Sequence, residues 1–600
     1  MSNPAQGWPT SPASAMSELR SVHRGKHYSN TAMSTQSYSA VLRLARSIVE
    51  ESGVCRDLER WQEEDRAASG RHAGGRPPTL SFTTLLTVHL AQALLRKTHL
   101  HRHLADALSS AYQPEHLALV GAPTREFEAA STYYLAYRRF RAIEDLIDPT
   151  PGPRRHSLLK SELTDLQAER ALEPNASILA KKQERLETFL NKIITASRRV
   201  LPRRFRRHQS DTLVVDATNI PLPGRPERAR SRWAATIYDG GWYVRDNGDG
   251  HGHDGTLTRG KKRSDKHVWA LEFEIIVEGN RSYAEQRHPL LVHGMNVHRP
   301  SAHPAKSAAR AFNLLKELDP NHPRTFIVSD RLYLPNAKPE TFQGPMRQLG
   351  YSFVMDYPVN QLGIQDQHAG APLVDGSFYC PAMPKDLVEA TTQHARGLID
   401  DDLRDARIKE RSAYLLQKKE QPTMRRDAQL PDQKYRCPAA GPSPTVRCPL
   451  KPNPRGNPAK TILPTMVPKH PDRVCTNKES VTIPGLVGLK TRQDIQYMTP
   501  EWKAAYHGPR SKVESVNNQL KSATQEDFGA TGGRLARSVT AQAIFGALRL
   551  AALNCSRVFE FLRGYVESDQ QPPILELGTH SPSAALSRRT DSGPSHRAPP

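Results

Sequence analysis

The sequence predicts an α+β protein: a mixed sheet flanked by helices, preceded by an all-helical N-terminal domain and interrupted by a large insertion. Three observations support this. Apolar residues recur at three- and four-residue steps from about Tyr38 to Arg141. Between residues 211 and 357 short β-branched runs alternate with amphipathic helical patterns, as in a mixed sheet. From Pro358 to Pro500 that alternation fails among many prolines, and two strong helical patterns then follow.

Residues 1–40 are rich in Ser, Pro and Asn, residues 566–600 in Ser, Pro and Arg, and both read as disordered tails. In the helical domain, 41–150, Phe82, Leu85, Leu86, His89, Leu90 and Ala93 form one stripe after a turn-like Gly75-Arg76-Pro77-Pro78. His99 and His103 would share a helix face there. No carboxylate or Cys stands at ligand spacing, so a packed or solvated cluster is expected rather than a metal site. Gripping DNA is a possible role of this domain. Segment 151–210 carries a charged helix, about Ser177 to Ser197, that ends in Arg198, Arg199, Arg203, Arg204, Arg206 and Arg207. Six arginines so close repel one another unless an anion lies alongside, and phosphate contacts of that kind release counterions.

The sheet region, 211–357, opens with Asp211-Thr-Leu-Val-Val-Asp216, bounded by a break at Asn219 and Pro221. Trp269–Val277, Arg324–Asp330 and Tyr351–Asp356 are the further strands, with helices at Ser307–Leu318 and about Pro339–Leu349. After the insertion, 358–500, segment 501–565 holds a helix containing Arg510 to Lys521 and another from about Val539 to Leu562.

The 600 residues include 84 Lys and Arg against 62 Asp and Glu, a net charge of +22, with a pI near 9.8. A surplus that large suits a polyanion, most commonly nucleic acid. No run of eighteen apolar residues is present and the N-terminus lacks a signal-peptide core, so a cytoplasmic, nucleoid-associated protein with no membrane partner is expected. Six cysteines fit a reducing compartment.

Asp216 and Asp330 each close a hydrophobic strand, where a rigid sheet holds a carboxylate at the edge of a cleft. Arg510, Glu514 and Lys521 lie within about 40° of one another on a helix, a polar stripe of alternating sign. A salt-bridge ladder gives the same spacing. Divalent-metal chemistry explains the combination better: two Mg²⁺ ions need hard oxygen ligands, and three carboxylates from two strands and a helix supply them.

Tyr506-His-Gly-Pro-Arg510-Ser-Lys-Val-Glu514-Ser-Val-Asn-Asn-Gln-Leu-Lys521 resembles the Y-R-E-K signature of bacterial insertion-sequence DDE transposases with an RNase H-like catalytic domain. Three residues separate Arg510 from Glu514 and six separate Glu514 from Lys521, as in that family; between Tyr506 and Arg510 there is one more than usual. Val-Val-Asp216-Ala-Thr and Val-Ser-Asp330-Arg are similar to its two Asp motifs, and the insertion falls where the family carries one. The resemblance covers about 211–357 and 501–560. It implies an RNase H-like core in which Asp216, Asp330 and Glu514 are catalytic and bind two Mg²⁺ ions (Mn²⁺ substituting), Tyr506, Arg510 and Lys521 contact DNA, and Arg203, Arg204, Arg206 and Arg207 add basic surface. It further implies cleavage and strand transfer of double-stranded element ends into target DNA by a homodimer. A non-catalytic DNA-binding derivative and a Mg²⁺ nuclease that cuts without joining are the alternatives.

Asp356 also ends a strand and is read as structural, and Asp211, five residues from Asp216, points to the opposite face. His251-Gly-His253-Asp254, beside Arg259, Lys261, Lys262 and Arg263, reads as a mobile loop near DNA. Cys380, Cys437, Cys448 and Cys475 lie in the insertion without a C-x-x-C pair, the closest two being eleven apart. They read as ordinary semi-buried thiols, with structural zinc the alternative; Cys55 and Cys555 read as core.

Overall fold

The computed structural model describes residues 35–70, 78–123, 128–154, 156–245, 266–279, 288–451 and 463–567. Six strands form its central mixed sheet: β1 (Thr212–Pro221), β2 (Gly241–Arg245), β3 (Lys266–Gly279), β4 (Val292–His298), β5 (Phe326–Val328) and β6 (Ser352–Val354). β3 runs antiparallel to β1 from Thr212↔Gly279 to Pro221↔Ala270. β2 and β4 pair antiparallel with successive stretches of the other edge of β3. On the far side of β1 the sheet turns parallel, with Val214 opposite Val328 and Val328 opposite Val354. The order across is therefore β4, β3, β1, β5, β6, with β2 continuing the β4 edge. Parallel neighbours need crossover connections. Here α10 (Pro304–Leu318) precedes β5 and α11 (Gln343–Gln348) precedes β6.

Before the sheet come α1 (Thr35–Ser52), α2 (Val54–Ala68), α3 (Phe82–Leu94), α4 (His101–Asp106), α5 (Pro114–Val120), α6 (Ala129–Ile147), α7 (Lys160–Ala171), α8 (Asn175–Arg198) and α9 (Arg203–Arg206). They do not stand apart from it. One hydrophobic core runs from Leu42 and Leu86 through Phe189 and Leu548 to Phe273 and Ile327. Its axis is α17 (Val539–Glu567), which packs against α8, α3 and β4. Gly546 lets this helix reach β3: a Cβ there would lie 2.2 Å from Phe273 Cε2. Thr540 Oγ1 donates to Asp148 at 2.8 Å, and Ser538 hydrogen-bonds Glu144, fixing α17 to the end of α6.

The insertion is built from small pieces: β7 (Ile364–His368), β8 (Ala371–Val374) and β9 (Ser377–Phe378); β10 (Gln417–Lys418), β11 (Gln433–Arg436) and β14 (Ser480–Ile483); and a parallel pair, β12 (Val446–Arg447) and β13 (Leu463–Pro464). The helices α12 (Lys385–Val388), α13 (Ala390–Ala395), α14 (Asp401–Arg411) and α15 (Arg473–Thr476) complete it. It is less core-poor than its composition suggests, with two apolar clusters around Tyr379 and Leu373. Arg411 and Asp375, both fully buried, pair at 2.6 Å, and Asp375 also accepts from Gly363 N and Thr391 Oγ1, each at 2.8 Å. Such a pair holds its surroundings only while both partners remain.

Several expectations change. β1 does not break at Asn219: antiparallel pairing to β3 carries it to Pro221, whose missing N–H costs nothing at a strand end. Asp216 thus lies within a ten-residue strand rather than closing one. α1 begins at Thr35, inside the stretch read as a tail. α4 begins at His101, so His99 and His103 share no helix face. His99 is buried and stacks on Phe545 with ring centroids 4.8 Å apart, whereas His103 is exposed. The His251–Asp254 loop and most of both tails lie outside the described residues. Among the described residues no helix is long and apolar enough to cross a membrane.

Candidate active site

The register of the parallel pair sets the site. Val214 faces Val328 across the ladder, and Asp216 and Asp330 each stand two residues further on. The paired stretch ends at Val328, so Asp216 continues along β1 while Asp330 follows in the turn beyond β5, near enough for its charge to bear on Asp216. β5 is short and wholly buried. Beyond it the chain turns at Asp330, which accepts from Leu332 N at 2.9 Å through Oδ1 and from Leu334 N at 3.0 Å through its carbonyl.

α16 (Pro500–Lys521) packs across β1, β3 and β5. Its start is well specified: Thr499 caps it by accepting from Trp502 N, Pro500 occupies the first turn and Glu501 complements the helix dipole. Trp502 anchors that end, its Nε1 donating to Met355 O at 3.2 Å and Gln493 Oε1 at 3.1 Å while its ring stacks on Tyr506. Pro509 lies within the helix and presses on the sheet. Gly279 makes room for it, because a Cβ there would lie 2.8 Å from Pro509 Cβ and 2.9 Å from Val214 Cγ2.

The stripe on α16 contains Tyr506, Arg510, Glu514 and one residue not anticipated, Asn517. Asn517 is buried, and its Nδ2 donates to Asp216 Oδ2 at 3.0 Å. It stands seven residues after Arg510 and three after Glu514, so helical spacing alone could have found it. Glu514 pairs with Arg510 at 3.6 Å, and its side chain is 60% exposed. Lys521 ends the helix, about 16 Å along the axis from Arg510, so the two reach different groups on any ligand.

Electrostatics join these residues. Burial, and next the charge of Asp330, push the Asp216 carboxyl up to about 7, with Arg510 opposing. Burial disfavours the Arg510 charge, yet Tyr506, Asp216, Asp330 and Glu514 together outweigh it and raise its pKa. Burial lifts the Tyr506 hydroxyl to about 12. The structure thus brings Asp216 and Asp330 together and links Glu514 to them through Arg510. Among the described residues the one group of three potential ligands within 4.8 Å is instead Glu272, Glu274 and His298. Those residues are already bonded to one another and to neighbours: His298 Nε2 lies 2.8 Å from Glu274, Tyr333 donates to Glu274, and Ser301 N donates to Glu272. Asp356 is held by Arg331 at 2.6 Å and Tyr497 at 2.6 Å.

The arginine run divides. Arg198 is buried against Asp319 at 3.1 Å, and Arg199 forms an exposed pair with Glu51 at 2.7 Å. Arg203, Arg204 and Arg207 are exposed on and beside α9, which Phe205 fastens to Phe561 and Tyr565 of α17. Arg203, Arg206 and Arg207 line a cavity of about 540 Å³ with His288.

No family model, curated protein or solved structure matches the chain.

Proposed function

We propose that the protein is a DDE transposase on an RNase H-like sheet, which cuts double-stranded DNA at the ends of an insertion sequence and joins them to a target. The observation that carries this reading is the pair Asp216, on β1, and Asp330, just past the end of the neighbouring parallel strand β5, beneath a helix bearing Arg510, Glu514 and Asn517. A mixed sheet of three antiparallel strands followed by two parallel ones, with β1 central and helices around it, supports that reading.

The donor set suits magnesium: it is made of hard oxygens, and burial, with the Asp330 charge adding to it, holds Asp216 near a pKa of 7, a cost to the carboxylate that a cation relieves. Asp216, Asp330 and Glu514 would hold two Mg²⁺ ions, which supply activation of the attacking oxygen and stabilisation of the leaving one. The other residues act on the DNA and on the carboxylates. Arg510, within the field of both aspartates, meets the scissile phosphate and offsets charge developing at phosphorus. Asn517 fixes the rotamer of Asp216. Lys521 and the exposed arginines of α9 contact phosphates further along the duplex. Two copies acting on paired ends complete the reaction.

A non-catalytic DNA-binding protein is the second reading, favoured by the pairing of Glu514 with Arg510. One assay separates them. Full-length protein is incubated with duplexes carrying the DNA that borders its gene, plus a supercoiled plasmid, in Mg²⁺ or in chelator. Mg²⁺-dependent nicking at the element end and joined products are expected, both lost in Asp216→Asn, Asp330→Asn and Glu514→Gln. Binding without cutting supports the second reading, and cutting without joining indicates a nuclease.

A further inference from the structure

Cys380, Cys437, Cys448 and Cys475 come from four places in the insertion, and its backbone gathers them. Cys380 N donates to Tyr414 O at 2.9 Å. Next to Tyr414, Ala413 O accepts from Thr445 Oγ1 at 2.5 Å, and Thr445 N donates to Pro438 O at 2.9 Å. That ties the Cys380 segment to the loop between Cys437 and Cys448. Cys437 N in turn donates to Glu479 O at 2.9 Å, one step beyond the Arg436↔Ser480 pair of β11 and β14. Lys451, three residues after Cys448, donates to Asn477 O, two residues after Cys475.

The local conformations repeat. Met383 N donates to Cys380 O, Ala440 N to Cys437 O and Lys451 N to Cys448 O, each at 3.0 Å. Three of the four cysteines thus open a tight turn with proline at its second position, which presets the backbone. Burial pushes the Cys380 and Cys437 thiols up, and the backbone donors at Ala382 and Ala439, aimed at their sulfurs, offset only part of that. All four side chains are buried and none forms a disulfide. Cys380, Cys437 and Cys448 belong to one apolar cluster and Cys475 to the neighbouring one, and the charges of the other three all bear on Cys380.

We propose that Cys380, Cys437, Cys448 and Cys475 are the four ligands of a structural zinc ion that clamps the loops of the insertion together. Tetrathiolate zinc is the common closed, non-catalytic arrangement, with Zn–S about 2.3 Å. Sulfurs in such a tetrahedron stand about 3.8 Å apart. Among the described residues no three of these sulfurs lie within 4.8 Å of one another, so the turns close further around the ion. Binding releases the four thiol protons to solvent, with no change in oxidation state. The zinc and four thiolates carry a net negative charge, and the largely buried Lys451 ammonium, which bears on Cys437 and Cys475, offsets part of it. Lack of a C-x-x-C pair does not count against the site, because each turn here supplies one ligand instead of two. The proposal does not depend on the transposase reading.

Full-length protein, purified without chelator or added metal, tests it by elemental analysis together with a thiol count. One zinc per chain is expected, released when a mercurial titrates the thiols. Cys437→Ser and Cys448→Ser should lose the metal, while Cys55→Ser and Cys555→Ser keep it. Cobalt(II) in place of zinc should give the intense thiolate charge-transfer and red d–d absorption of a four-sulfur site. That spectrum decides the matter on the wild-type chain if the serine variants do not fold. Substoichiometric zinc after incubation with zinc salt, with four freely reactive thiols, overturns the proposal. So does a disulfide between any two of the four in freshly purified protein.

Discussion

Asp216→Asn is expected to stabilise the protein by an amount that depends on pH and, on the proposed reading, to abolish its activity. In the folded chain burial, and next the charge of Asp330, hold the Asp216 carboxyl up at about 7, against 3.8 for the ordinary group. Below pH 3.8 folded and unfolded chains both carry the proton, and the carboxyl has no effect on the balance. Between there and about 7 the unfolded chain has released its proton and the folded one has not, so stability falls as pH rises. Above about 7 the whole difference, about 3 units at about 1.36 kcal/mol each, opposes folding by about 4 kcal/mol. Asparagine keeps an oxygen to accept from Asn517 Nδ2 and removes the charge. Urea unfolding in chelator, followed by tryptophan fluorescence from pH 4 to pH 8, should therefore show little gain at the acid end and about 2–4 kcal/mol at the alkaline end. Mg²⁺ should stabilise the wild type more at pH 8 than at pH 5 and leave the variant unmoved. A variant no more stable than wild type at any pH in chelator would show that Asp216 is not a buried, crowded carboxylate, and the proposed metal site would lose its main support.

Four further outcomes follow from named contacts. Asn517→Asp puts a third carboxyl against Asp216, so it should lower the melting temperature in chelator and recover it in Mg²⁺; an unchanged melt in both means residue 517 does not face the pair. Gly546→Ala drives a methyl into Phe273 and should destabilise by about 1–3 kcal/mol in urea unfolding. Adding Phe273→Leu should return part of that, whereas strict additivity would mean the two do not touch. Arg411→Ala leaves Asp375 buried and unpaired, an expected loss of about 3–5 kcal/mol that limited proteolysis should locate in the insertion rather than the sheet. Replacing Arg203, Arg204 and Arg207 by alanine should lower the slope of log affinity for duplex DNA against log salt by about 2–3; an unchanged slope removes α9 from the interface.

Four of the six strands were legible because their residues are apolar and β-branched on both faces, as for Leu213-Val-Val215 and Phe326-Ile-Val328. β4 was not: Val-His-Gly-Met-Asn-Val-His reads as polar, though all but its last residue are buried. Its His293 and His298, and the acids Glu274 and Glu278 of β3, are satisfied by partners distant in sequence, such as Tyr333 and His288. A burial pattern made by pairing across the fold leaves no periodic trace. The same limit applied at the site. Asp216 and Asp330 stood out as carboxylates in apolar runs, but their nearness depends on the pairing of β1 with β5 and on the turn beyond Val328, and on no local stretch. Asn517 was passed over because an amide adds no sign to a stripe read by charge, although its spacing was correct.

The pairing of Glu514 with Arg510 bears on how the site would fill, and magnitudes decide it. At 3.6 Å, with the carboxylate 60% exposed, that pair contributes about 0–1 kcal/mol, as surface pairs on one helix do. Crowding and burial of the Asp216 carboxyl cost several times more, about 4 kcal/mol near neutral pH. A divalent cation that relieves the larger cost can therefore take Glu514 from Arg510 at small expense. The freed guanidinium, still within the field of both aspartates, then becomes available to a phosphate. On the proposed reading Arg510 would hold Glu514 in reserve while metal and DNA are absent. Arg510→Gln tests this: it frees Glu514 and removes a positive charge that repels the cation, so at alkaline pH, where the Asp216 carboxyl is ionised, Mg²⁺ affinity should rise while, on the proposed reading, DNA cleavage falls. A parallel fall in both would mean that Arg510 organises the metal ligands instead of competing for one of them.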